Sequence, residues 1–377
     1  MKNLPDVFLC HPAVYAVGKN YIITVPTKLN CYMWATVGGN DYYDDANGTL
    51  LHYRTVHKVT VPMSELDAAK EYTISFRLYP IEPESPDVES YTVKFRPVDP
   101  NAEKINVYQI ADSHGYIPEA IAAGQYYDSI GETLDLLILN GDIISTSNKL
   151  DNFALVHKIA GEVTLGQVPV INARGNHDTR GTAAENYAEY MPSEDGNTYY
   201  TFRVGPIWGV CLDCGEDKPD DHPENRMSTV FAQFREEETE WLESVVNAEN
   251  PEYLDEGIKY RMAVCHIPFA RKCPPPFNIE QERYAYWCKL LGEKVKLNLM
   301  MCGHQHIFYV LTPGHELDAL GQPCPAIVAS RPEIIDGVIH FTGCAMTLSG
   351  DTAKAKYTDE KYIVKGEDTV DIVSHLK

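Results

Sequence analysis

The chain has 377 residues, 44% of them hydrophobic, with 32 Lys and Arg against 54 Asp and Glu for a net charge of −22. The length favours two domains over one, and the apolar share is too high for a disordered chain. No run approaches the roughly 18 apolar residues of a membrane span, and the surface charge disfavours nucleic acid and anionic membranes as partners.

The N-terminal stretch M-K-N-L-P-D-V-F-L-C has one lysine and a very short apolar run. It does not read as a signal peptide, so a cytoplasmic location is expected of a complete chain, and secretion only of a trimmed one. Ten cysteines are scattered singly, several inside apolar runs where a thiol acts as a small hydrophobe. Cys211-x-x-Cys214 lacks a second pair and is a weak metal or redox signal.

Residues 1–100 alternate β-rich runs (21–26, 31–37, 56–61, 72–78, 91–95) with turn clusters such as Gly38-Gly39-Asn40-Asp41 and Asp45-Ala46-Asn47-Gly48. No segment there has helical length and period, so a β-sandwich domain over 1–100 is expected. Pro97-Val98-Asp99-Pro100-Asn101 reads as a linker. From 101 to 377 strand and helix alternate: strands at 105–111, 134–139, 168–173, 260–265 and 295–301, helices at 117–130, 150–163, 231–246 and 279–291. This texture predicts an α/β domain with buried, mostly parallel strands. The run Glu236-Glu237-Glu238 reads as the solvated face of its helix.

The polar residues that end these strands carry the chemistry. In order they are Asp112-Ser113-His114-Gly115, Asn140-Gly141-Asp142, Arg174-Gly175-Asn176-His177-Asp178, His266, and Gly303-His304-Gln305-His306. Taken singly, each has a plain reading: aspartate caps helices, and Asn-Gly is turn chemistry. Turns do not need histidine at four of five strand ends, and the carboxyl ends of strands are where open α/β sheets bind ligands. Carboxylate, amide and imidazole donors suit Mn, Fe, Zn or Ni. Seven such ligands, Asp112, His114, Asp142, Asn176, His266, His304 and His306, suffice for two ions that share one of them.

The ordered motifs D-x-H, G-D, G-N-H-D, a lone His and G-H-x-H resemble the calcineurin-like metallophosphoesterase superfamily. The resemblance implies an αββα four-layer sandwich over 101–377, behind an immunoglobulin- or fibronectin-III-like β domain. It implies two transition-metal ions, one on Asp112, His114, Asp142 and His306. The other would sit on Asp142, Asn176, His266 and His304, with Asp142 bridging. His177 would assist the leaving group, oriented by Asp178, while a metal-bridging hydroxide attacks phosphorus in line. Arg174 and Arg180 flank this loop and are candidates for phosphate binding. The stretch 212–221, with 231–235, is similar to an insertion of bacterial members and is expected at the substrate rim.

The leading domain is also similar to that of purple acid phosphatases. Their tyrosine ligand is replaced here by Ser145, and His114 is present where they lack a histidine, so a colourless protein is expected. The activity implied is hydrolysis of a small phosphomonoester or phosphodiester. The alternatives are a nuclease of the same superfamily and a catalytically silent binding scaffold.

Overall fold

The computed structural model describes residues 3–44, 51–79 and 87–376; the turn expected at 45–48 lies outside them. In the N-terminal region β1 (Ala13–Val17) pairs with β2 (Asn20–Val37), which also carries β3 (Asn40–Tyr43), β4 (Arg54–Pro62) and β5 (Glu71–Arg77). β6 (Glu89–Lys94) adds to β5. The runs expected as two strands at 21–26 and 31–37 are both parts of β2. That strand changes partners between Pro26 and Cys31, where its register with β4 shifts. Proline has no ladder N–H to lose at such an irregularity. One helix, Met63–Ala69, stands where none was expected. Its seven residues are too few to show a helical period.

β7 (Lys104–Ile110), β8 (Leu136–Asn140) and β9 (Pro169–Ala173) are parallel neighbours. The helices Ile117–Gly124 and Asp151–Thr164 share their hydrophobic core. A second sheet holds β10 (Tyr200–Val204), β11 (Ile207–Leu212), β12 (Tyr260–Cys265), β13 (Leu299–Cys302), β14 (Tyr309–Leu311) and β15 (Ala326–Val328). Helices Phe231–Val246 and Gln281–Lys289 pack on it. β16 (Arg331–Ile335), β17 (Val338–Ser349), β18 (Thr352–Asp359) and β19 (Val364–Asp371) extend the first sheet beyond β7.

The layers are therefore helix, sheet, sheet, helix, and the two-residue period of the strands builds both cores. Met262 and Val264 of β12 face the core shared by the sheets, while Ala263 and Cys265 face the helices of the second. Leu299 and Met301 of β13 alternate with Met300 and Cys302 in the same way. The strand expected from 295 begins only at Leu299, because Val295 ends a helical turn that prolongs the preceding helix. The helix expected over 117–130 breaks at Gln125. Glu238 departs from the solvated-face reading: it is buried, and its Oε1 accepts the Asp213 N–H at 2.8 Å.

The change of texture at residue 100 is not a break in the sheet. β1 lies parallel to β9, with Val14 opposite Pro169 and Tyr15 opposite Val170. The Tyr15 hydroxyl donates to His157 Nδ1 at 2.8 Å, and His157 Nε2 donates to the Tyr190 carbonyl at 2.9 Å. No described helix is long and apolar enough to cross a membrane.

Candidate metal centre

Five parallel strands end at one place: β7, β8 and β9 of the first sheet, and β12 and β13 of the second. Just past their ends, Asp112, His114, Asp142, His304 and His306 all have left-handed backbones, with φ of 54°, 46°, 54°, 68° and 52°. For residues with side chains this costs about 1 kcal/mol or more each, and it concentrates where a site dictates geometry. Asp112 helps hold the last of these loops, its carboxylate accepting the His304 N–H at 2.8 Å.

The motif glycines are there for space. A Cβ on Gly175 would stand 2.2 Å from Asp142 Oδ1, and one on Gly141 2.6 Å from His266 Nδ1. One on Gly303 would meet Ala111 Cβ and Asp112 Oδ2, both at 2.7 Å. Gly303 thus lets two loops touch.

Possible ligand atoms of Asp112, His114 and His306 lie within 4.8 Å of one another, as do those of Asp142, His266 and His304, and of His114, Asp142 and His177. His306 Nε2 is 3.2 Å from Asp112 Oδ1 and 3.1 Å from His114 Nε2. Asn176 Oδ1 lies 3.0 Å from His304 Nδ1. All seven residues expected as ligands are thus brought to one basin.

His266 tests whether a cation fits. Its Nδ1 donates to the Asn140 carbonyl at 2.6 Å, which leaves Nε2 to face the carboxylates. Nε2 is buried, 3.2 Å from Asp142 Oδ2 but without a hydrogen bond. A backbone carbonyl behind one ring nitrogen and oxygen donors before the other is how proteins orient a histidine for metal. Burial opposes a charge on this imidazole, yet Asp142 and Asp112 outweigh it and lift the group to about 10. The carboxylates thus draw positive charge to that spot. Burial, then the His266 charge, pushes His304 down to about 4, which keeps its ring neutral, the form that ligates. Burial would raise Asp142, but His266 holds it well below the usual carboxylate range. The donor set fits divalent ions.

The expected catalytic and phosphate-binding residues divide. His177 reaches the basin edge, its Nδ1 donating to the Ser145 carbonyl at 3.0 Å and its Nε2 accepting from Arg180 Nη1 at 3.0 Å. Asp178 does not orient this ring. Its Oδ2 accepts the N–H groups of Gly175 and Asp142 at 2.9 and 3.0 Å, so it ties the two loops together. Burial and the Asp142 charge push its carboxyl up to about 7. Arg180 lines the basin and is held by Glu216, with Nη2 to Oε2 at 2.8 Å. Arg174 is directed away. Its Nε lies 2.7 Å from the buried Asp213 carboxylate, and its guanidinium sits over the rings of Phe234, Tyr187 and Phe231.

Several positioning groups escaped sequence reasoning. Asn140, read as turn chemistry, donates from Nδ2 to Gln109 Oε1 at 3.0 Å and to the Met301 carbonyl at 2.9 Å. Gln109 Nε2 donates to the Cys302 carbonyl at 2.9 Å, so the pair ties the two sheets beneath the basin. Both sit inside apolar strands, and two buried amides in such runs were the available signal. Asp217 and Lys218, from the stretch expected at the rim, stand at the basin wall. Cys211 and Cys214 part company: Cys211 faces the Asn172 carbonyl, and Cys214 Sγ lies 3.5 Å from Cys265 Sγ.

Residues 105–308, more than half of the chain, match the family model described as calcineurin-like phosphoesterase. The chain belongs to that family, whose chemistry is metal-dependent phosphoester hydrolysis. Among solved structures it is similar to the purple acid phosphatase PPD1 from yellow lupin (Lupinus luteus) seeds. Identity is 13%, with 96% of this chain and 74% of that one covered at a TM-score of 0.61. It also matches GAP50, the anchor in the inner membrane complex of Plasmodium, at 12% identity over 72% of this chain and 90% of that one, with a TM-score of 0.44. At such identities the lupin structure speaks to fold alone, and its coverage takes in the N-terminal strands. No curated protein matches the chain.

Proposed function

We propose that this chain hydrolyses a small soluble phosphomonoester or phosphodiester at a two-metal centre, with Mn, Fe, Zn or Ni as the ions. The observation that carries the reading is the convergence of two Asp/His clusters around Asp142, at the parallel strand ends of both sheets. Asp112, His114, Asp142 and His306 would hold one ion, and Asp142, Asn176, His266 and His304 the other. When bound, such a pair supplies the positive charge that polarises the phosphoryl group and acidifies water.

The chain's own groups do the rest. With a carbonyl at Nδ1 and a guanidinium at Nε2, His177 is the neutral tautomer with its lone pair toward Arg180. A phosphate oxygen arriving between them takes over the Arg180 Nη1 hydrogen bond. Nε2 of His177 is then free to take a proton from water and pass it to the leaving ester oxygen. Glu216 keeps Arg180 at the wall throughout. The net charge of −22 favours a small ester over a polyanion.

The test is turnover of p-nitrophenyl phosphate and bis-p-nitrophenyl phosphate by protein loaded with each metal in turn. His177→Ala is expected to lower kcat by about 100-fold or more with metal content intact. Asp142→Asn is expected to lose both ions by elemental analysis. No turnover of either ester with any of the four metals would end the enzymatic reading.

A further inference from the structure

A second hollow opens beside the basin. Asp217, His304 and Phe277 belong to the walls of both, so the two are continuous at the His304 side. It measures about 420 Å³, a size usual for small-molecule sites. Its walls are largely apolar, with Ile267, Phe269, Phe277, Tyr284 and Leu320 contributing. The strand that delivers His266 runs directly into this wall, so the hollow is anchored to the metal centre by covalent chain. The wall segment is itself braced: the N–H of Lys272 donates to the Leu317 carbonyl at 2.7 Å, and that of Ala319 to the Ala270 carbonyl at 2.9 Å.

Arg271 is the exception among these walls. Its Nε is buried without a hydrogen-bond partner. Its Nη1 finds only the Lys272 carbonyl at 3.4 Å and the Cys273 thiol at 3.6 Å. The Tyr309 hydroxyl lies beside it, and Asp318, its bridge partner along the backbone, turns its carboxylate to the N–H groups of Gly314, Leu320, Gly321 and Gln322. Among the described residues it forms no ion pair, although acids outnumber bases by 54 to 32 in the chain. The other lysines and arginines that line the two hollows are committed: Arg180 to Glu216, and Lys218 to Asp217 and Glu224. A guanidinium fork at an apolar wall, with no acid of its own, matches a carboxylate or a second phosphate on a bound molecule.

We propose that this hollow holds the organic part of the phosphoester, and that it selects an apolar, ring-sized body carrying an anionic group that Arg271 engages. The proposal rests on the hydrolase reading for the phosphoryl end of the molecule. The hollow itself can be tested without turnover.

Calorimetric titration of the Mn-loaded protein with phenylphosphonate and with 4-carboxyphenylphosphonate separates the two ideas, because neither compound is hydrolysed. The carboxylated compound is expected to bind about tenfold more tightly or better, since a charge-assisted hydrogen bond is at stake. Arg271→Gln is expected to bring the two affinities within about twofold of each other. Equal affinities in the wild type overturn the proposal, as does a preference that survives Arg271→Gln. Should the variant fold poorly, the wild-type ratio decides alone. Absence of p-nitrophenyl ester turnover would count against the hydrolase reading and leave this comparison intact.

Discussion

At Gly175 a single methyl group would collide with the Asp142 carboxylate at 2.2 Å, and the neighbours are backbone and a ligand, which cannot swing aside. Gly175→Ala is therefore expected to cut metal affinity at least about tenfold while the chain stays folded, read by elemental analysis beside circular dichroism. The two arginines of the same loop should differ in what they do to activity. Arg174→Ala strands the buried Asp213 carboxylate and is expected to cost about 3 kcal/mol of stability in urea denaturation. The folded fraction should keep kcat/KM within about threefold. Arg180→Ala likewise unpairs a buried carboxylate, that of Glu216, and is expected to cost stability too, but here the folded fraction is expected to lose kcat/KM by about tenfold or more. Reversed results would restore Arg174 as the phosphate contact. Ser145 gives an optical check: its hydroxyl donates to the His114 carbonyl at 2.7 Å and offers no phenolate. Iron-loaded protein is expected to show no tyrosinate band in the visible.

At the scale of elements, His157 joins the helix Asp151–Thr164 to β1. Burial is the main force holding its imidazole down, to about 4, and nearby Lys58 adds to it. The folded chain thus keeps His157 neutral where the unfolded chain, near 6.5, takes a proton. The stability it contributes is complete above about pH 6.5 and is lost as pH falls toward 4, by about 3 kcal/mol in all. Gln in its place can still accept from Tyr15 and donate to Tyr190, so His157→Gln should flatten that part of the profile in denaturant titrations. An unchanged slope would exclude the role. The strands that carry ligands were legible because unbroken apolar runs closed by Asp, Asn or His state both burial and exit. The left-handed backbones were not, since no local pattern marks an aspartate or histidine for that conformation. The roles of Asp178 and Arg174 were invisible for another reason. Neighbours in sequence can face opposite ways, and only packing decides that Asp178 meets amides and Arg174 meets Asp213.

For the whole molecule the decisive feature is the parallel contact of β1 with β9, the strand that leads into Asn176 and His177. Residues 1–100 were readable as a β-rich unit from their alternation, but a pairing 155 positions apart, as from Val14 to Pro169, leaves no trace in either segment. A chain reduced to 101–377 would bare the apolar edge of β9, and such edges recruit other chains. It is expected to be largely insoluble, or metal-poor where soluble; a monodisperse, fully loaded fragment in size-exclusion chromatography would show the halves to be separable. The same contact bears on how such a protein can be recombined. A leading segment that merely sat beside the enzyme could be exchanged for another like a cassette. Here a replacement must bring a strand whose direction, register and outward hydroxyl match β9 and His157, so the two regions inherit change as one lineage.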